Sequence, residues 1–371
     1  MSRVLIINSV CDYGSTGKIC VELANKLKKE GSEVIIAYGR GKTSYEDSIK
    51  IGNLLDQYVH GIGTRLFDKQ GLASKKSTSN FLKWAEEYDP DCLWIHNLHG
   101  YYINYEILFE WIKKRPKMNV KWTLHDCWAF TGHCAHFSAV GCEQWMTHCC
   151  KCCQKKQYPC SLFVDNCFEN YEKKKAAFKD VANMKIIVPS NWLADLVKKS
   201  FLKCYPIEVQ QNVVDKNVFR YRESNFRKQY GLKEKIILLG VANVWTDRKG
   251  YNDFVKLAGM LTDRFQIVLV GLDKKQMKKL PSNIIGIERT KDQVELAEIY
   301  SAADLYINPS KEETYGMTNA EALACGTVAI AYEGTACEEV VKQNGGIAVE
   351  QNVDAIYKVI KDRFSESSEK E

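Results

Sequence analysis

Asn308-Pro-Ser-Lys-Glu-Glu-Thr-Tyr-Gly-Met-Thr-Asn-Ala-Glu-Ala-Leu-Ala-Cys-Gly326 is the stretch around which the chain reads. The short apolar run just before it, residues 304–307, has the length of a buried strand, and the small residues 318–325 read as a helix that Gly326 stops. A loop therefore delivers a helix N-terminus, where amides lacking intrahelical acceptors and the helix dipole suit a phosphate. Glu313 stands in that loop and Glu321 in the helix. Carboxylates repel phosphate but accept hydrogen bonds from hydroxyls, so the pattern suits a phosphate flanked by polyols, as in a nucleotide sugar. Two glutamates at this spacing also describe a solvated helix face, and the rest of the chain has to decide.

At 371 residues, with 45% hydrophobic and 26% charged residues, the chain fits two globular domains. It has no uncharged apolar run of membrane-spanning length, and residues 4–10 read as a first strand rather than a signal segment, so a cytoplasmic protein is expected. The formal charge of +6 lies entirely in residues 1–215, the remainder being balanced. Such a half could meet an anionic membrane face or a pyrophosphate-linked acceptor, or simply be solvated. No long basic run or RNA-binding signature points to nucleic acid. Seven of the 15 cysteines fall between Cys134 and Cys160, a clustering that argues for metal before disulfides.

Taken in order, residues 3–9, 33–38, 92–96, 120–124 and 185–188 are apolar strands separated by helical patterns. Alternation of this kind means a parallel sheet with ligands at the carboxyl ends of its strands. The first strand enters Gly14-Ser-Thr-Gly17-Lys18, which is neither a phosphate-loop motif, because Asp12 and Ile19 stand where Gly and Ser or Thr are needed, nor a dinucleotide fingerprint. His96, His99 and the His125-Asp126 pair lie at or just past strand ends. Residues 235–242, 266–271, 283–286, 304–308 and 327–332 repeat the pattern, giving a second doubly wound domain. Arg248-Lys249-Gly250 follows the first strand of that domain.

The Glu313/Glu321 spacing with Gly316 between them, the Arg248-Lys249 loop and the glycine-rich first turn together resemble the retaining family 4 glycosyltransferases, in a branch similar to bacterial capsule and exopolysaccharide (colanic-acid-type) enzymes. The resemblance implies a GT-B fold: two Rossmann-like doubly wound domains facing across a cleft, with a Cys-rich insertion at about 127–167 in the first. It places an acceptor domain at 1–215, a nucleotide-sugar donor domain at 216–350, and a C-terminal helix at 351–371 that returns to the first domain and ends in a polar tail. His125, Arg248, Lys249 and Glu313 would then be catalytic. Gly14, Gly17, Asn243, Arg289, Tyr315, Gly316, Met317, Thr318 and Glu321 would join Arg248, Lys249 and Glu313 around a UDP- or GDP-linked sugar, while His99, Tyr101 and Asp126 would meet a glycan or lipid-linked acceptor. No cofactor is expected in catalysis, and peripheral contact with the inner face of a membrane fits such an acceptor. The thiol cluster is read as a structural zinc held by Cys134, Cys142, Cys149 and Cys152, with free thiols and disulfides as the alternatives. A nucleotide-sugar epimerase or a non-catalytic nucleotide-sugar or zinc-binding module is the competing reading; the missing Gly-x-Gly-x-x-Gly weighs against an oxidoreductase.

Overall fold

The computed structural model describes residues 1–365 and divides into two units, Met1–Gln211 and Asn212–Glu371. In the first, β1 (Arg3–Val10), β2 (Glu33–Arg40), β3 (Ser48–Lys50), β4 (Cys92–Ile95), β5 (Asn119–Thr123), β6 (Met184–Val188) and β7 (Ile207–Val209) form one sheet in the order β3-β2-β1-β4-β5-β6-β7. In the second, β8 (Ile236–Val241), β9 (Phe265–Val270), β10 (Ile284–Ile287), β11 (Leu305–Asn308), β12 (Ala329–Tyr332) and β13 (Ile347–Val349) are ordered β10-β9-β8-β11-β12-β13. The pairings are parallel, and helices cover both faces. The central strands are therefore apolar on both sides: Leu5 and Ile7 enter one core with Leu93, Ile95 and Trp122, while Val4 and Ile6 enter another with Ile36, Cys20 and Ala24.

Both sheets wind outward in one direction and then resume on the other side of their first strand. The reversal falls between β1 and β4 in the first unit and between β8 and β11 in the second. At such a point the connections leave neighbouring strands for opposite faces, opening a crevice at the carboxyl ends where ligands bind.

The edge strands β3 and β13 were not expected from the sequence, because three residues are too few for a period-two signal. The unit boundary falls at 211/212 instead of 215, since Val214 and Val218 already pack on the second core and the ring of Phe219 meets Tyr300 edge-on. The helix Val353–Arg363 packs on the core of the second unit. Its apolar face, Val353, Ile356 and Ile360, shares a buried cluster with Leu238, Phe254 and Leu257, and Arg264 Nη1 donates to Phe364 O at 2.8 Å. The polar tail beyond residue 365 lies outside the described residues. Among those described, no helix is long and apolar enough to cross a membrane. Because Ile360 is fully buried, Ile360→Ala should cost about 2–5 kcal/mol, read as a lower urea midpoint for unfolding.

Candidate active site

In the second unit two loops flank the β8/β11 reversal. Residues 243–250 leave β8 and residues 309–316 leave β11. Gly250, at φ +78°, lies so close to the second loop that a β-carbon would come within 2.3 Å of Pro309 Cγ and 2.5 Å of its carbonyl oxygen. The backbones are then joined directly: Lys311 N donates to Arg248 O (2.9 Å) and Arg248 Nη1 to Glu312 O (2.7 Å). Lys311 Nζ meets Asp247 Oδ2 at 3.0 Å, and Lys249 Nζ is paired with Glu313 Oε2.

Beyond Glu313 the chain turns at Gly316, where φ is +86° and a β-carbon would lie 2.6 Å from Cys337 Sγ, so the position demands glycine. Gly316 caps the helix Met317–Ala324. Met317 and Thr318 form its first turn, whose amides face the crevice end of the sheet. Glu321, on the same helix, accepts a hydrogen bond from the buried Tyr300 hydroxyl at 3.1 Å. Tyr315 points its hydroxyl to Asn212 O (2.9 Å), which fixes the loop to the start of the unit. Asn243 and Arg289 are exposed, on the loops after β8 and β10. The expected donor residues of this unit thus lie on loops and a helix at the carboxyl ends of one sheet, with Lys249 and Glu313 in direct contact.

The first unit places Gly14 and Gly17 after β1. Gly14 has φ +65°, and a β-carbon on Gly17 would sit 3.2 Å from Asp12 N. Asp12 accepts from Thr43 Oγ1 (2.7 Å) and Ser44 N (2.9 Å), so the turn is tied to the loop after β2. Across the β1/β4 reversal, Asn97 N donates to Asn8 Oδ1 at 3.2 Å. A small cavity at the ends of β4 and β5 is lined by His96, Asn97, His99, His125, Asp126 and Trp128. His96 Nδ1 and His125 Nε2 lie 2.9 Å apart, an arrangement that needs one bare nitrogen. Burial lowers both, His125 to about 4 even with Asp126 beside it, so both rings are neutral at pH 7.

His99 stands between two partners, its Nδ1 2.9 Å from Tyr158 OH and its Nε2 2.8 Å from Asp126 Oδ2. Burial alone would raise the Asp126 carboxyl, but His99, His136 and the N–H of Trp128 outweigh it and hold Asp126 well below the usual carboxylate range. Tyr101, with φ +67°, meets His60 edge-on with ring centroids 6.0 Å apart. His96 and Tyr158 complete this cluster and were not among the expected site residues. Tyr158 comes from the insertion, 59 positions from His99, and no spacing rule could have joined them. The chain's Asp-x-Asp, Asp89-Pro-Asp91, sits at the amino end of β4, where Arg3 N donates to Asp91 Oδ2 (2.8 Å) and Arg3 Nη2 to Asp89 Oδ2 (3.1 Å).

The zinc expected at Cys134, Cys142, Cys149 and Cys152 finds no support in the described residues. Among the described residues no group of three or more His, Cys, Asp or Glu side chains is arranged to hold a metal ion, and the thiols are free. The thiols lie near one another: Cys134 is hydrogen-bonded to Cys152, Cys149 neighbours Cys134, Cys142 and Cys152, Cys142 is hydrogen-bonded with Cys153, and Cys149 Sγ accepts from Gly132 N at 3.2 Å. Other forces hold the insertion. Phe130, Phe137 and Trp145 form a ring cluster, and the buried His133 Nδ1 meets Asp68 Oδ1 at 2.6 Å. Lys174, from the helix Cys167–Phe178, donates to Trp128 O (2.7 Å) and Thr131 O (3.0 Å) under the Trp128 ring. Burial pushes that ammonium down to about 7.

With this geometry established, comparison with known proteins becomes informative. Residues 222–371 match the family model "Glycosyl transferases group 1". Over 365 residues, 94% of this chain and 87% of the relative, the sequence is 25% identical to a protein of Escherichia coli K12 named as a colanic acid biosynthesis glycosyl transferase, WcaC. Among solved structures, sucrose-phosphate synthase from Thermosynechococcus elongatus aligns with a TM-score of 0.70 at 16% identity, covering 99% of this chain and 91% of that one. Anabaena HepE in complex with UDP and glucose aligns with a TM-score of 0.66 at 13% identity and the same coverage. These likenesses establish the GT-B architecture of two Rossmann-like domains.

Neutral buried histidines make stability depend on pH. His60 and His125 are held at about 4, below the ordinary 6.5, by burial. The unfolded chain takes up protons in that window that the folded chain refuses, so stability is full above pH 6.5 and declines as pH falls toward 4. The slope is at most about 1.4 kcal/mol per pH unit for each ring. Urea unfolding at pH 7 and pH 5 should show the decline, and His60→Gln should remove one ring's share of it.

Proposed function

We propose that this chain is a glycosyltransferase that moves a sugar from a nucleotide-sugar donor to a glycan or lipid-linked acceptor in cell-surface polysaccharide synthesis, with retention at the anomeric carbon and no metal in the chemical step. The observation that carries the reading is the contact between Lys249 and Glu313 across the β8/β11 reversal. A cation and a carboxylate are held together where a phosphate and the hydroxyls of its sugar would have to be met together. On donor binding, Lys249 turns to the diphosphate and Glu313 to sugar hydroxyls, while Arg248, still held on Glu312 O, and the amides opening the Met317–Ala324 helix add fixed positive potential. Glu321, steadied by Tyr300, takes the ribose. HepE, bound to UDP and glucose, and the WcaC relative, named for colanic acid biosynthesis, support this donor class and this biosynthetic setting.

The reaction breaks the bond between the anomeric carbon and the phosphate oxygen and forms one to the acceptor oxygen on the same face. The acceptor proton passes to the leaving phosphate oxygen. Negative charge grows on the diphosphate as the bond breaks, and Arg248, Lys249 and the helix terminus stabilise it there, a contribution realised in the transition state. The positively charged sugar carbon of an oxocarbenium-like state is met by a neutral His125, which adds no repulsion. In the first unit the acceptor is presented near His99, Tyr101 and Asp126, with Gly14 and Gly17 allowing close approach of backbone.

Thermal-shift screening against UDP- and GDP-sugars should identify the donor as the one that raises the melting temperature with concentration. With that donor, Lys249→Ala and Arg248→Ala should each lower kcat about a hundred- to a thousandfold. Proton NMR of the product should show the donor's anomeric configuration; an inverted product would overturn the retaining mechanism.

A further inference from the structure

The helix Leu54–Phe67 is turned inside out. A surface helix ordinarily buries its apolar stripe and exposes its polar one. Here Gln57, His60 and Thr64 point inward: Gln57 Nε2 donates to Gly39 O (2.7 Å), His60 lies 2.8 Å from Ser74 Oγ and accepts from Gly71 N (3.0 Å), and Thr64 is fully buried. The outward stripe is Leu55, Tyr58, Val59 and Ile62, with 71%, 69%, 57% and 55% of their surface exposed. The stripe continues past the helix end. Leu162 N donates to Arg65 O at 2.7 Å, which sets Leu162 and the 72% exposed Phe163 at the end of the helix.

The exposed charged side chains on this helix and just after it are cationic. Arg65 and Lys69 are exposed on and just after the helix, Lys69 near the Phe67 ring, and Lys155 Nζ donates to Phe163 O at 3.2 Å. The nearby acids are turned to other work. Asp56 caps the helix by accepting from Asn53 N, and Asp68 is buried with His133. An apolar stripe with aromatic rings and a cationic rim matches the interfacial zone of a bilayer with anionic headgroups, and no described helix is built to cross one.

We propose that this face docks the first unit onto an anionic lipid bilayer, lying in the headgroup region. Its inner side packs on Tyr101 through His60. Docking would therefore bring the loop after β4 close to the lipid surface, which, on the acceptor reading above, is where a lipid-linked acceptor would be presented.

The test is flotation of the full-length protein with vesicles of phosphatidylcholine alone or with one third phosphatidylglycerol (a composition chosen for the assay). The protein should float with the acidic vesicles and leave them in high salt. Tyr58→Ser with Ile62→Ser should lower the partition coefficient at least roughly tenfold. Replacing Arg65, Lys69 and Lys155 by Gln should lower it about fivefold per cation. All substituted side chains are at the surface, so circular dichroism and the thermal shift with UDP-glucose or another effective donor should stay as in the parent, which separates this result from failure of the donor reading. No flotation with acidic vesicles, or equal flotation of parent and variants, would overturn the proposal. So would a lipid-independent dimer that the Tyr58/Ile62 variant converts to monomer, since the face would then belong to a second copy of the chain.

Discussion

The lack of room for a β-carbon at Gly250 is the constraint on which the loops at the carboxyl end of the second sheet depend. With Pro309 against its Cα, the loop after β8 cannot move independently of the loop after β11. Two backbone-acceptor hydrogen bonds, from Lys311 N and from the Arg248 guanidinium, close the joint. The Lys249–Glu313 pair sits on top of this frame and does not create it. A partly exposed ion pair contributes little to stability. Its value lies in holding two opposite charges in readiness at one place, on a support that stays fixed when either charge finds another partner.

Much of this was legible in the chain itself. Strands buried on both faces appear as unbroken Ile/Val/Leu runs, so the central strands of both sheets read directly. Glu313, Gly316 and Glu321 lie within one loop-helix unit, and local spacing carries over into local geometry. The Arg248-Lys249-Gly250 run was legible for a similar reason, although the requirement for glycine came from Pro309, 59 positions away, which only the fold supplies. Edge strands of three residues left no pattern. Nor did the course of the final helix, because its 353/356/360 stripe says that it packs but not on what.

The insertion shows what spacing leaves open. Cys149-x2-Cys152 has the separation of a chelating turn, yet chelation needs four donors converging on a point. Here one thiol is spent on a glycine amide and another on a neighbouring thiol. What organises the segment instead is a lysine from a run of three, Lys173-Lys174-Lys175, which sequence would assign to solvent. Lys174 is buried with its ammonium on two carbonyls and an indole face. The contact of Tyr158 with His99 was equally out of reach of local reading, since the insertion loops back by a path that no periodicity encodes.

The position of the insertion in the topology has a consequence for how such proteins diversify. It occupies the crossover from β5 to β6, and those strands pair in register with no sign of disturbance, Val120 opposite Met184 through Thr123 opposite Ile187. A crossover can lengthen at small entropic cost without altering the strands it joins. A change in this segment would therefore bring a different residue to the place of Tyr158 while the register of β5 on β6 stayed as it is.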